Sequence, residues 1–393
     1  MKTKTKIAVY SGSIPSTTFI ERLILGLSTK GYQIYLFGFR KHNVKYNAFV
    51  KVVSYKNTKF YKSLHLLKYS LLLVLFKPKE KQKLDAILRS KSQNALLDKT
   101  KCYPVLWYKP DIFHIQWAKN LEYWSWVQEF NIKLILSLRG AHINYSPIAD
   151  RGLANLYRNY FPKVDGFHAV SKAIAYEAEK YKAQPEKIKV VYSGLNLKTF
   201  DFSSKRNESN FNIVSIGRPH WKKGYNYALD ACSILKKSNI PFTYTIVGAK
   251  GYLELLYQIK DLGLEKDVIL LGSQSLDEVK RILKEASVFL LPSVEEGIAN
   301  VVLEAMASGT LVLTTNCGGM EEVVENKING FVCSIRNPNS IAEQIKSIIN
   351  LPEEHKNQIL NRAKETITKQ HTEEQMINGM LEMYSDTLKG DMR

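Results

Sequence analysis

The chain has 393 residues, 45% of them hydrophobic, and a formal net charge of +19. Its length exceeds what one hydrophobic core usually supports, so two domains are expected, and the apolar content excludes a largely disordered or low-complexity protein. The positive charge is lopsided: residues 1–200 carry 34 Lys+Arg against 12 Asp+Glu, whereas residues 201–393 carry 22 against 25. No RNA- or DNA-binding motif accompanies the lysines, so no nucleic-acid partner is expected. Cys102, Cys232, Cys317 and Cys333 show neither C-x-x-C spacing nor histidines placed to complete a zinc site. They read as reduced thiols of a cytoplasmic protein. The N-terminal M-K-T-K-T-K-I-A-V-Y imitates a signal peptide, but its apolar stretch breaks at Ser11-Gly12-Ser13. The longest wholly apolar run, 71–76, is too short to span a bilayer, so the expectation is a soluble or peripheral protein.

In chain order, residues 7–10 predict a strand, S-G-S-I-P-S-T-T a loop, 19–30 a helix capped by Gly31, and 33–39 a second strand. That β-α-β unit is the sign of a doubly wound sheet. Residues 41–109 hold 16 basic and 3 acidic residues interleaved with aromatics. Within them F-Y-K-S-L-H-L-L-K-Y-S-L-L-L-V-L-F-K-P places Lys62, His65 and Lys68 at helical spacing. Two readings stand there: an interfacial helix resting on anionic lipid, or a buried helix with basic flanks. Further strands are predicted at 111–115, 133–138, 166–170 and 188–192, with a helix at 171–182. His114, inside the first of these, reads as a core or cleft histidine. K-T-F-D-F-S-S-K-R-N-E-S-N lacks periodicity and reads as a linker. A second set of strands follows at 211–217, 242–247, 268–271, 288–291 and 311–314.

The most informative stretch is S-V-E-E-G-I-A-N-V-V-L-E-A-M-A-S-G, from Ser293 onward. The run A-S-V-F-L-L-P before it reads as a buried parallel strand ended by Pro292. The apolar run after it reads as a helix stopped by Gly309. Glu296 then sits at a strand-to-helix turn and Glu304 about two turns into the helix. Such a turn offers the free amides of Gly297, Ile298 and Ala299 to hydroxyls or phosphate oxygens. A second feature is Gly217-Arg218, ending a strand, with Lys223-Gly224 opening the next helix. Their guanidinium and ammonium are placed to converge on one diphosphate, which gains charge as it departs. Gly248-Ala249-Lys250-Gly251 is either a further phosphate-side glycine turn or a tight turn only.

E-G-I-A-N-V-V-L-E-A-M-A resembles the Glu-x7-Glu signature of retaining glycosyltransferases of family 4, which have the GT-B architecture. The likeness covers nearly the whole chain. I-P-S-T-T-F-I-E-R-L resembles the family's N-terminal loop, and V-S-I-G-R-P-H-W-K-K-G-Y-N-Y-A-L-D-A the opening of its donor domain. N-C-G-G-M-E-E-V-V resembles the segment after the double-glutamate helix, and M-I-N-G-M-L-E-M-Y the terminal helix. At the junction, where the family often has Gly-Val-Asp, this chain has Gly194-Leu195-Asn196.

The resemblance implies an α/β fold of two Rossmann-like domains facing a central cleft. Residues 1–197 would bind the acceptor, 198–370 the donor, and 371–393 would form a helix crossing back to the first domain. It implies that Glu304 bonds the ribose and Glu296 the transferred sugar. Gly297, Ile298, Ala299, Asn300 and Val301 would line the donor with backbone groups, beside Gly217, Arg218, Lys223 and Gly248. Gly12, Ser13, Arg139 and Gly140 would face the cleft from the first domain. Arg139 stands where the family commonly has His, and would face either the diphosphate or an anionic acceptor. His142 either contacts the donor sugar near its anomeric carbon or only caps its loop. No D-x-D motif is present, so no metal and no cofactor are expected, only a nucleotide-diphosphate sugar as donor substrate. The expected acceptor is a glycan or lipid-linked glycan of surface polysaccharide synthesis, and an anionic membrane surface is the further partner. A GT-B-fold epimerase or phosphorylase and a non-catalytic sugar-nucleotide-binding protein are the alternatives. Turnover of a donor panel separates the last of these from the enzymes.

Overall fold

The computed structural model describes residues 5–91, 95–200, 202 and 211–390. Most of the expected linker lies outside the described residues. The chain forms two compact units, one of Met1–Val170, Ala175–Val191 and Ile377–Arg393, the other of Ser171–Ile174 and Tyr192–Met376.

Unit 1 is built on β1 (Lys6–Ile14), α1 (Thr18–Thr29), β2 (Gln33–Arg40), β3 (Val50–Tyr55), α2 (Lys59–Phe76), α3 (Pro78–Lys91), α4 (Ala95–Tyr108), β4 (Ile112–Ile115), β5 (Lys133–Leu138), α5 (Arg151–Tyr160), β6 (Gly166–Ala169), α6 (Lys172–Glu179) and β7 (Ile188–Val190). Its seven strands are parallel, in the order β3-β2-β1-β4-β5-β6-β7. Strands β4, β5 and β6 are buried almost throughout, as expected of a parallel sheet whose two faces are both covered. Strand β3 is absent from the sequence expectation. Its half-alternating V-K-V-V-S-Y sits inside the basic segment, where composition masks a two-residue period. The helix expected at 171–182 is shorter, because Lys182 takes a left-handed conformation (φ 66°) and its N–H folds back to Glu179 O. The strand expected at 188–192 likewise stops at Val190.

Unit 2 contains β8 (Asn212–Ile216), α7 (Tyr225–Lys237), β9 (Thr243–Val247), α8 (Leu253–Asp261), β10 (Val268–Leu271), α9 (Leu276–Glu285), β11 (Val288–Leu291), α10 (Asn300–Ala307), β12 (Val312–Thr315), β13 (Phe331–Cys333), α11 (Pro338–Ile349) and α12 (Glu353–Gln370). Its six parallel strands run β10-β9-β8-β11-β12-β13. Chain direction across the sheet therefore reverses between β8 and β11. A crevice outside the carboxyl ends of those two strands is where ligands bind in open α/β sheets.

The last helix, α13 (Glu373–Lys389), begins in unit 2 and belongs to unit 1 from Ile377 on. The unit boundaries differ from those expected at 197/198 and 370/371. Leu195 N donates to His371 O at 2.8 Å and Glu373 N to Leu195 O at 2.9 Å. That short parallel bridge ties Gly194-Leu195-Asn196 to 371–373 within unit 2. Within unit 1, Tyr384 of α13 reaches a buried polar chain. His114 Nδ1 lies 2.8 Å from Tyr384 Oη, His114 Nε2 2.8 Å from Ser137 Oγ, and Ser137 Oγ 2.9 Å from His168 Nδ1. His168 Nε2 donates to Val191 O at 3.0 Å, which fixes every tautomer along the chain. Burial holds His168 down to about 3 and His114 well below the ordinary value, with Arg139 and the histidine pair adding to the effect. His114 is thus a satisfied, neutral core histidine.

Candidate active site

The loops after β8 and β11 carry the residues singled out from the sequence. After β11, Pro292 and Ser293 are buried, and the chain turns through Glu295, Glu296 and Gly297 before α10 starts at Asn300. Glu304 consequently lies about one turn into the helix instead of two, because 297–299 remain extended loop. It is half-buried.

Glu296 is the best-held of the candidates. Its side chain is buried, yet Lys223 Nζ donates to Oε1 at 2.6 Å and Ser293 Oγ donates to the same oxygen at 3.2 Å. Lys222 Nζ stands 3.7 Å from Oε2. A buried carboxylate survives only with such partners. The pairing spans the topological switch of the sheet. The 3-10 turn Trp221–Lys223 ends at Gly224, whose left-handed φ of 63° caps α7. A Cβ on Gly224 would collide with the Pro292 carbonyl, so only glycine lets the two loops close this far. Val294 N donates to Lys222 O at 2.7 Å and stitches them. From the other side, Gly318 (φ 51°) presses against the Glu296 carbonyl, where a side chain would not fit. This is what N-C-G-G does in the fold.

The structure rearranges several expectations. Arg218 is exposed just past the end of β8 and makes no hydrogen bond or ion pair among the described residues. Lys222, which is not among the expected site residues, shares Glu296 with Lys223. The amide of Ala299 is occupied by Met320 Sδ at 3.4 Å and is not free for a ligand. Gly297 is buried, Ile298 and Val301 half-buried, and Asn300 Oδ1 is buried without a hydrogen-bond partner among the described residues. Gly248 N donates to Leu271 O at 2.9 Å, as do the next two amides at 2.9 and 3.0 Å, so these three amides are engaged within the unit. Gly217 N serves the sheet, and its carbonyl accepts from Tyr225 Oη at 3.1 Å. Ser293 and Tyr225 carried no motif signal; only three-dimensional closeness identifies them.

Burial pushes the Cys317 thiol, beside Glu296, up to about 12, and Cys102 and Cys333 likewise. They are poor nucleophiles. No cluster of three potential metal ligands occurs among the described residues.

The remaining candidates belong to unit 1. Arg139 follows β5, and its Nη2 donates to Gln116 Oε1 at 3.1 Å. Its guanidinium lies 4.4 Å from the Phe19 ring centroid, while burial lowers it to about 10. Arg139 Nε and Gln116 Nε2 are buried donors without partners among the described residues. Gly140 (φ 40°) opens the one-turn helix Ala141–Asn144, in which the His142 ring packs edge-on to Trp117 at 5.5 Å. Gly12 (φ 89°) sits at the irregularity in β1, where Ser11 Oγ donates to Ser13 O at 3.0 Å.

Two family models match this chain: Glycosyltransferase Family 4 over residues 16–199 and Glycosyl transferases group 1 over residues 197–366. An uncharacterized glycosyltransferase of Methanocaldococcus jannaschii is 34% identical over 196 residues, 46% of this chain and 50% of that one. The amylovoran biosynthesis glycosyltransferase AmsK of Erwinia amylovora is 34% identical over 175 residues, 42% of this chain and 41% of that one. The chain spans about half the length of the curated relatives it matches. Among solved structures, Anabaena Alr3699/HepE in complex with UDP and glucose superposes with a TM-score of 0.72 over 97% of this chain and 100% of that one. At 18% identity, that likeness is one of fold. With the two models running end to end over two Rossmann-like units, the chain belongs to the family 4 (group 1) glycosyltransferases.

Proposed function

We propose that the protein is a retaining glycosyltransferase that moves a hexose from a nucleotide-diphosphate sugar to a hydroxyl of a lipid-linked glycan in surface polysaccharide synthesis. The observation that carries this reading is the buried Glu296 carboxylate between Lys222 and Lys223 at the switch point of unit 2. Carboxylate and ammonium groups side by side match a ligand that presents sugar hydroxyls next to a diphosphate. Glu296 accepts from a hydroxyl of the transferred sugar and Glu304 from the ribose. Lys223, with Arg218 swinging in from the surface, neutralises the departing diphosphate. The acceptor oxygen forms its bond to the anomeric carbon on the face the diphosphate leaves. Its proton passes to a departing phosphate oxygen, so no protein nucleophile takes part. Arg139 is assigned an anion contact and His142 a contact to the sugar.

UDP and glucose in the Anabaena protein, and the amylovoran role of the Erwinia relative, support the donor and pathway class. The basic first half supports work at the anionic inner face of the plasma membrane, as a peripheral protein. Among the described residues no helix is long and apolar enough to cross a membrane. The test is a panel of nucleotide sugars with released nucleoside diphosphate as readout and product anomeric configuration read by NMR. Binding of donors without turnover on any acceptor would return the protein to a sugar-nucleotide-binding role.

A further inference from the structure

Helix α2 wears its apolar side outward. Phe60, Leu64, Leu67, Leu71, Val74 and Leu75 are 47 to 71% exposed. At 3.6 residues per turn these six fall within an arc of roughly 100°. The opposite side, with Tyr69 and Leu73 buried, packs on α4 and α3, and Tyr69 Oη meets Tyr108 Oη at 3.4 Å. The polar Lys62 and His65 lie on or beside that inner side, half-buried. A surface helix of a water-soluble domain normally has the reverse arrangement. An exposed apolar strip of this length marks an interaction face.

Along one edge of the strip lies a cavity of about 310 Å³, lined by Arg40, Lys56, Tyr61, Leu64, His65 and Lys68 with parts of Ser54 and Tyr55. Arg40 ends β2 and Lys56 follows β3, so two cations project from neighbouring carboxyl strand ends. Among the described residues Arg40 bonds only neutral oxygens, Ser54 Oγ at 3.1 Å and Asn43 Oδ1 at 3.5 Å. Lys56 lies over the Tyr61 ring at 4.8 Å and Lys68 over Tyr69 at 5.6 Å. None of the three cations has a carboxylate partner among the described residues, and no acid lines the cavity. His65, held down to about 4 by burial and by Lys68, adds no charge at neutral pH. Leu64 belongs to both the strip and the cavity wall.

We propose that α2 and this cavity form one docking site for the surface of an anionic phospholipid bilayer, with the strip among the acyl chains and a lipid phosphate held by Arg40, Lys56 and Lys68. Charge complementarity selects this occupant. A second copy of the chain would bring the same three cations against each other. A neutral apolar partner would leave them unanswered. A phosphate diester meets the guanidinium fork and two ammonium groups at the height where an interfacial helix lies. The inference deepens the membrane-surface part of the function proposed above, and does not depend on which sugar is transferred.

The test is co-sedimentation of the full chain with vesicles of phosphatidylcholine alone or with phosphatidylglycerol, at low and high salt. Binding is expected only with phosphatidylglycerol, weakening as salt shortens the screening length below about 10 Å. Replacing Arg40, Lys56 and Lys68 by Gln should weaken binding at least tenfold. Replacing Lys119, Lys163 and Lys182 by Gln should change it less than threefold. Leu67→Gln with Leu71→Gln should also weaken it tenfold while leaving the melting temperature in solution unchanged. Equal losses from the two triple variants would overturn the site in favour of diffuse charge. Dimerisation abolished by the leucine variant, without vesicle binding, would assign the face to a second copy. Donor-induced thermal stabilisation, measured in parallel, should persist in every variant; its absence in the parent chain would count against the transferase reading and not against the lipid site.

Discussion

In unit 2, Lys222 and Lys223 face a buried carboxylate at 3.7 and 2.6 Å, whereas in unit 1 Arg40, Lys56 and Lys68 line a cavity without an acid in its walls. The paired lysines are held in one geometry and carry little field outward. In the proposed reaction an arriving diphosphate would have to compete with Glu296 for them, which favours a ligand that also satisfies the carboxylate. The unpaired cations are free to attract from a distance, without discrimination, and salt weakens them. One arrangement selects and the other gathers.

The comparison breaks first at Lys223. Lys223→Ala should lower turnover by about two to three orders of magnitude, as removal of one preorganised charge contact does. Arg40→Gln should leave turnover of a water-soluble acceptor unchanged. Equal loss in both variants, measured as kcat with saturating donor, would erase the distinction. It sharpens next at the two glutamates. Glu296→Ala should reduce kcat about a hundredfold with a smaller change in nucleotide affinity. Glu304→Ala should weaken nucleoside diphosphate binding about tenfold, the loss of one charged hydrogen bond. Calorimetric titration beside initial rates separates the two. Wild-type behaviour of both variants would remove the carboxylates from the site.

A smaller effect concerns pH. His114 and His168 are neutral in the folded unit 1, His168 with its pKa lowered to about 3. Unfolded, each titrates near 6.5. Protons thus bind the unfolded chain first, and stability that is complete above about pH 6.5 declines as pH falls towards 3. The slope is about 1.4 kcal/mol per pH unit for each histidine. Thermal melts at pH 7 and pH 5 should show this decline, and His168→Gln should flatten it. An unaltered slope would mean that the chain from Tyr384 to Val191 is not closed in solution. The smallest expected effect is that of chelation. Excess EDTA should change the transfer rate less than twofold if, as proposed, lysines and not a divalent ion face the diphosphate. Abolition by EDTA with recovery on adding manganese would contradict that division of labour.

Much of unit 2 was legible because its signals are local. Pro292 ends a strand, Gly297 permits a turn and Gly309 ends a helix within 18 residues of one another. The partners of Glu296 were not legible, since Lys223 lies 73 residues upstream and the choice between Lys223, Lys222 and Arg218 is made by the way two loops close over Gly224. Unit 1 shows the opposite limit. Periodicity reveals that α2 has an apolar strip but not which way it faces, because its polar Lys62 and His65 sit on the side a soluble helix would ordinarily turn outward. The strand β3 was lost inside a charge run, and the unit boundary moved because backbone bonds to 371–373, invisible in the sequence, claim Leu195.

The closing helix α13 also bears on how the chain is made. Ile377 packs against Gly26, Thr387 against Gly166, and Tyr384 against His114. The first 191 residues therefore leave the ribosome lacking the piece that finishes their own core, and must wait while all of unit 2 is synthesised. Contacts of such sequence separation form late and slow folding. At about 5–20 residues per second the wait lasts on the order of ten seconds or more, with apolar surface uncovered. Ribosome-bound chains stalled before Ile377 should accordingly be cleaved readily in unit 1 by added protease, and chains extended past Lys389 should resist. Nascent chains whose unit 1 resists before α13 emerges would mean that the first sheet closes without its last helix.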